Sequence, residues 1–264
     1  EPMKRIKIIA FVLYLCVLLV PKTIMAQDTA REFYQLKVYA LNNSDQERRL
    51  DNYLENALLP ALHRQGLKNI GVLKQKPDKF MLANKVYVLI PFNDIQAVAN
   101  LEDHLKQDAE FIRTGADFWD APYDNPPFER VNTILMRAFS EMPKMEPSPV
   151  TGPRGDRIYE LRSYESPTDA KYWNKVAMFN AGGEVQLFAD LDFNAVFYAE
   201  VIAGERMPNL MYMTTFPNME KRDALWKAFF SSDKWTELKN AEKYKNNMKK
   251  ADVILLYPTA YSDY

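Results

Sequence analysis

The chain has 264 residues, with 34 Lys and Arg against 35 Asp and Glu, a formal net charge of −1 at pH 7. That balance supplies no basic face for nucleic acid or an anionic surface, and eight glycines leave little for phosphate-cradling loops. The single cysteine, Cys16, lies near the N-terminus, so the rest of the chain has no disulfide, thiolate or Cys-ligated metal chemistry.

Met3-Lys-Arg-Ile-Lys7 is a short basic stretch, Ile8 to Val20 an apolar run, and Pro21-Lys-Thr-Ile-Met-Ala26 a cleavage region. The pattern predicts a signal peptide, residues 1–26, cut after Ala26, and therefore an exported protein, periplasmic or secreted. The run is short for a membrane span, so none is expected after cleavage. A retained anchor is the alternative, because Ile24 is bulky for that site. Tyr14 and Leu15 before Cys16 are too large for a lipoprotein signal.

The first unit, residues 33–139, reads β-α-β-β-α-β. Phe33–Ala40 alternates as a strand; Ser44-Asp-Gln-Glu47 has the form of a capping box, and Leu50, Leu54, Ala57, Leu58, Ala61 and Leu62 follow at helical spacing. Gly66 stops that helix. Asn69–Gln75 and Lys85–Pro91 read as strands, Asn93 as the cap of a helix carrying Ile95, Val98, Leu101 and Leu105, and Val131–Phe139 as the last strand. The Pro-rich segment 116–127, with three aromatics, predicts either a lid over a cavity mouth or a loop docked on a sheet edge.

Residues 140–156 hold prolines and glycines and read as a linker. The second unit, residues 157–264, repeats the order. Arg157–Glu165 is a strand, Ser166-Pro-Thr-Asp169 an N-cap, and Gly182-Gly183 break the helix that follows. Phe193–Ile202 and Leu210–Phe216 are strands, Asn218 opens a helix, and Asp252–Tyr257 closes the unit.

The two units are copies. A slide of 125 residues puts Tyr34-Gln-Leu-Lys-Val-Tyr39 on Tyr159-Glu-Leu-Arg-Ser-Tyr164, Tyr87 on Tyr212, and Asn93 on Asn218 without a gap. Each copy is a ferredoxin-like α+β unit with one sheet face under two helices and the other bare. Two in one chain predict sheet facing sheet in an intramolecular dimeric α/β barrel, either a monomeric pseudo-dimer or a higher homo-oligomer of it.

Tyr159-Glu-Leu-Arg-Ser-Tyr164, Met207-Pro-Asn-Leu-Met-Tyr-Met213, Asp223-Ala-Leu-Trp-Lys-Ala-Phe229, Ser232-Asp-Lys-Trp235 and Val253-Ile-Leu-Leu256 resemble the NIPSNAP family in order and spacing. The first copy departs from this pattern, with Leu101 and Glu110 at the places of Trp226 and Trp235 under the same slide. The resemblance implies the dimeric α/β barrel and no settled activity. Fold relatives include cofactor-independent monooxygenases, haem-degrading enzymes and isomerases, by analogy alone.

Strand alternation sets Glu160, Arg162 and Tyr164 on one face with Lys37 equivalent to Arg162. We expect that polar face, with Tyr198 and Glu200, to look into the barrel. There Arg162 either pairs with Glu160 or Glu200 as a structural group, the reading preferred because buried charges are normally paired, or holds an anionic or carbonyl group. Trp226, Phe229, Phe230 and Trp235 wall a flat ligand or form core. His63 and His104 have no partner at ligand spacing, so no metal and no cofactor is expected. The leading expectation is a binding protein for a small apolar or amphipathic molecule, in the barrel or between sheet and helices. The alternatives are a cofactor-independent oxygenase or isomerase and a non-catalytic interaction module.

Overall fold

The structure, a computed structural model, describes residues 30–77 and 84–264. The expected signal peptide lies outside them. In the first half, β1 (Phe33–Ala40) leads to α1 (Ser44–Tyr53), a π-helical turn (Leu54–Leu58) and α2 (Leu59–Arg64). Next come β2 (Gly71–Gln75), β3 (Lys85–Phe92), α3 (Ile95–Gln107), α4 (Ala109–Thr114), α5 (Ala116–Trp119) and β4 (Arg130–Ala138). The second half holds β5 (Ile158–Glu165), α6 (Asp169–Phe179), α7 (Glu184–Asp190), β6 (Ala195–Ala203), β7 (Asn209–Phe216), α8 (Met219–Ser231), α9 (Asp233–Asn240) and β8 (Lys250–Pro258).

The eight strands close one antiparallel barrel in the order β1-β3-β2-β8-β5-β7-β6-β4. Each half contributes four neighbouring strands. Two seams join the halves: β2 with β8, where Gln75 stands opposite Leu256, and β4 with β6, where Arg137 stands opposite Glu200. Closure leaves the sheet without a free edge.

Alternation then sorts the side chains. Tyr34, Leu36, Leu89, Met136, Tyr159, Leu161, Phe197, Met213 and Leu256 fill the barrel. The C-terminal Tyr264 enters the same cluster and stacks on Tyr159 with ring centroids 6.0 Å apart. Gly71 makes room for it, since a Cβ there would lie 2.5 Å from the Tyr264 hydroxyl. An eight-stranded barrel is about wide enough for side chains alone, and a cavity of about 140 Å³ at one end is what remains. The outer face of each half is a separate core under its own helices.

This reverses one expectation. Arg162, Glu160, Tyr164 and Lys37 share a face as alternation requires, but it is the outer one, toward the helices. The barrel cannot hydrate a charge, so the apolar set Tyr159 and Leu161 takes the inside. Tyr198 also faces the helix layer.

Three caps sit beside the residues the sequence suggested. Asn43 caps α1, its Oδ1 accepting from Gln46 N–H, while Gln46 Oε1 accepts from Asn42 N–H. Asp94, not Asn93, caps α3, and Thr168, not Ser166, caps α6. Pro60 has no N–H to offer the helix ladder, and just before it the ladder widens: Leu59 N–H bonds to Leu54 O.

The copies also fall out of the ungapped slide. Leu36 pairs with Leu89 and Leu161 with Met213, so β3 and β7 correspond at 124 residues. The caps Asp94 and Asn218 keep that spacing, as do Asp108 and Ser232 in front of the next helices. Tyr87 and Tyr212 are therefore not equivalent: one faces the barrel, the other the helices. Glu102, not Leu101, stands at the place of Trp226, and Phe111, not Glu110, at that of Trp235.

Candidate functional site

In the second half the space between β5 and the helices above it is filled by side chains. Glu160 is completely buried. Its Oε1 accepts from Arg162 Nε at 2.5 Å, and its Oε2 accepts from Arg222 Nε at 2.6 Å and from Trp226 Nε1 at 3.0 Å. The Arg162 guanidinium carbon lies 3.7 Å from the centroid of the Trp226 ring, and Arg162 Nη1 donates to the Tyr164 hydroxyl at 3.0 Å. Tyr164 and Tyr212 share a further hydrogen bond of 2.8 Å.

Burial works against the charge on Arg162, but Tyr212, Tyr164 and Glu160 outweigh it and raise its pKa. Lys175 and Glu184 make a second buried pair at 3.0 Å, and burial still holds the Glu184 carboxyl above its ordinary range. Phe179, Phe188, Trp226 and Phe229 pack around these groups as core. The pairing alternative for Arg162 is thus the one realised with Glu160. Glu200 is elsewhere, held by Arg31 Nη1 at 2.9 Å and by Arg137 Nη2 at 3.3 Å beside the β4–β6 seam. Lys74 occupies the corresponding place in the first half and pairs with Glu47 and Asp51. Phe230 of the aromatic stripe is about half exposed and stacks on Trp226.

The first half is built differently at the same place. Strand β1 presents Gln35, Lys37 and Tyr39, the counterparts of Glu160, Arg162 and Tyr164. Above them α3 carries Val98 and Glu102 where α8 carries Arg222 and Trp226. Losing the indole and the guanidinium opens a cavity of about 610 Å³. Gln35 and Lys37 form its floor, Tyr53 and Leu58 one wall, Val98, Leu101, Glu102 and Leu105 its roof, and Phe111, Ile112 and Trp119 its far end. The π-turn places Leu58 in that wall.

Lys37 is half-buried and, among the described residues, meets no carboxylate at ion-pair distance. Burial lowers its amine's proton affinity, and the charge of Glu102 opposes the shift only in part. Gln35 Oε1 is buried with no hydrogen-bond partner among the described residues. A largely apolar chamber with Lys37 and Gln35 on its floor and the exposed Glu102, Asp103 and Lys106 along its rim has the composition of a small-molecule site. Sequence reasoning had Lys37, with Gln35 on the same strand face, but missed Glu102; the one-residue gap between the copies hid it.

The Pro-rich segment 116–127 docks on α1, since the closed barrel leaves no sheet edge for it to cover. Phe118 docks flat on Tyr53, with centroids 4.1 Å apart, and Arg49 bonds the carbonyls of Asn125 and Asp117. Trp119 stands at the cavity's end, 44 % exposed. His63 lies 3.0 Å from Asp263 Oδ1, and His104 is exposed on α3. Among the described residues no group of His, Cys, Asp and Glu has metal-binding geometry, and no helix is long and apolar enough to cross a membrane.

Solved structures share this barrel. One from Lactobacillus acidophilus NCFM, described as a "putative monooxygenase", is 12 % identical at a TM-score of 0.54, over 86 % of this chain and 94 % of that one. Another so described, from Fusobacterium nucleatum, is 10 % identical at 0.51, over 87 % and 93 %. A NIPSNAP family protein from Agrobacterium tumefaciens C58 aligns with 40 % of this chain and 96 % of its own, at 15 % identity and a TM-score of 0.35. No curated protein matches the chain by sequence. The family model described as NIPSNAP matches residues 159–263, so the second half of this chain is a NIPSNAP domain.

Proposed function

We propose that this protein, exported and freed of residues 1–26, binds one small, mostly apolar molecule in the first-half cavity, with a carbonyl or carboxylate oxygen turned toward Lys37 and Gln35. The carrying observation is the open space over Lys37 where the second half is plugged by Trp226 and Arg222. The volume suits a two-ring ligand. The site is single because only one copy keeps it open, and the first copy is a divergent NIPSNAP-like unit specialised for binding. The similar barrels described as monooxygenases share the fold alone.

Replacing Glu102 with Trp puts an indole where Trp226 stands in the other copy. Wild type is expected to bind 2-naphthoate or 2-naphthalenemethanol, read by quenching of Trp119 fluorescence, and Glu102→Trp to lose that binding while its melt stays cooperative. Equal binding by both proteins would place the ligand elsewhere. N-terminal sequencing of protein recovered after expression with residues 1–26 tests export: a mature chain beginning at Gln27 is expected, and an intact N-terminus in the membrane fraction would show a retained anchor.

A further inference from the structure

We propose that Lys37 is a reactive amine, and that the molecule this cavity takes is an apolar aldehyde or ketone, which condenses with Lys37 Nζ to an imine. The inference rests on the binding reading above and deepens it by naming the ligand's chemistry.

A lysine becomes a nucleophile when its amine is neutral at working pH, which happens where the ammonium is desolvated and lacks a strong anionic partner. Three features of the first half meet that demand. Lys37 stands on a strand, so its stem is fixed by the sheet, and it opens into a cavity walled by Tyr53, Leu58, Leu105 and Phe111. No carboxylate among the described residues lies at ion-pair distance, and burial depresses the amine's proton affinity. The cognate residue in the second half shows the contrast: Arg162 is bonded to Glu160 and Tyr164 and stacked on Trp226, leaving no room for a substrate.

The remaining polar groups suit the step. The Nζ lone pair adds to the carbonyl carbon, and a proton passes from nitrogen to the oxygen. The second nitrogen proton is then delivered to that hydroxyl as the C–O bond breaks, releasing one water and leaving a C=N bond, with no change of oxidation state. Glu102, on the cavity roof, is a carboxylate able to carry the proton out and back. Gln35 Oε1, two residues from Lys37 on the same face of β1, is an acceptor for the carbinolamine hydroxyl or the iminium N–H. An anion held by a permanent cation needs neither group, and Arg would serve it better than Lys.

The test uses the mature chain with 2-naphthaldehyde and, as the counterpart without a carbonyl, 2-naphthalenemethanol. Borohydride converts an imine to a stable secondary amine, located by intact mass and peptide mapping. One aldehyde-derived adduct, dominated by Lys37 and lost in Lys37→Arg, is the expected result, with 2-naphthalenemethanol competing against it. If the alcohol binds wild type but the aldehyde labels surface lysines as readily as Lys37, the reactive-amine inference is overturned and the binding reading stands. If the alcohol does not bind and Lys37 is not labelled, both fall.

Discussion

The guanidinium carbon of Arg162 lies 3.7 Å from the ring centroid of Trp226, whose Nε1 donates to Glu160 at 3.0 Å. The indole thus covers one charge and donates a hydrogen bond to its partner. Trp226→Ala removes a fully packed ring and one donor, and is expected to cost about 3–5 kcal/mol. Urea unfolding should show a lower midpoint at unchanged slope. The variant also gains a cavity over Arg162 walled by Phe188, Phe193 and Phe229, so 2-naphthalenemethanol should restore part of the lost stability. A midpoint within experimental error of wild type would show that the indole is not a plug.

Arg162→Met tests whether the pair is structural. Removing one partner of a buried pair costs about 3–5 kcal/mol, because the other charge is left stranded. Glu160 keeps Arg222 and Trp226, which places the expected loss at the lower end of that range. The wild-type response to cavity ligands should survive, because Arg162 serves the filled half. Replacing Glu160 with Gln in the same chain should then cost less than the two single losses added together. Additive losses would mean that the two side chains do not act as a unit.

Much of this architecture was legible in the sequence, for identifiable reasons. The period of two in Tyr34–Tyr39 and Tyr159–Tyr164 and the repeated β-α-β-β-α-β order are sufficient to give both units and the barrel, since each bare sheet face needs a partner. Which face turns inward was not legible. Tyr159-x-Leu161 and Glu160-x-Arg162 both suit burial, and the choice depends on neighbours far along the chain, such as Arg222 and Trp226, that satisfy the charges. The single-residue gap between copies was hidden too. Asn93 and Asp94 are both good caps, and only backbone geometry selects Asp94. The cavity followed from that choice, because the gap puts Glu102 rather than Leu101 in the place of Trp226.

Lys37 has a distinctive pH signature. Burial lowers its pKa from the ordinary value of 10.5, so between the lowered value and 10.5 the unfolded chain binds a proton that the folded chain does not. Stability from this group therefore rises with pH through that window and is lost as pH falls through the folded value. Lys37→Met removes the penalty. The variant should melt above wild type at pH 7, and its advantage should shrink toward pH 10. A constant difference across pH would show that the amine titrates as an exposed one.

The seams predict what happens when the halves are separated. A chain of residues 157–264 keeps β5 to β8 with their helices but loses β2 from the edge of β8 and β4 from the edge of β6. It also bares the inner face made of Tyr159, Leu161, Phe197, Met211, Met213 and Leu256. Open edges pair with other chains, and an apolar face of this breadth exceeds what soluble monomers usually expose. Two copies brought together across the same seams rebuild eight strands, with β8 of one against β6 of the other. Sedimentation should therefore find a dimer or larger aggregates of this fragment, and co-expression with residues 30–156 should convert it to a one-to-one complex. A soluble, cooperatively folded monomer would show that the second half closes its sheet without the first.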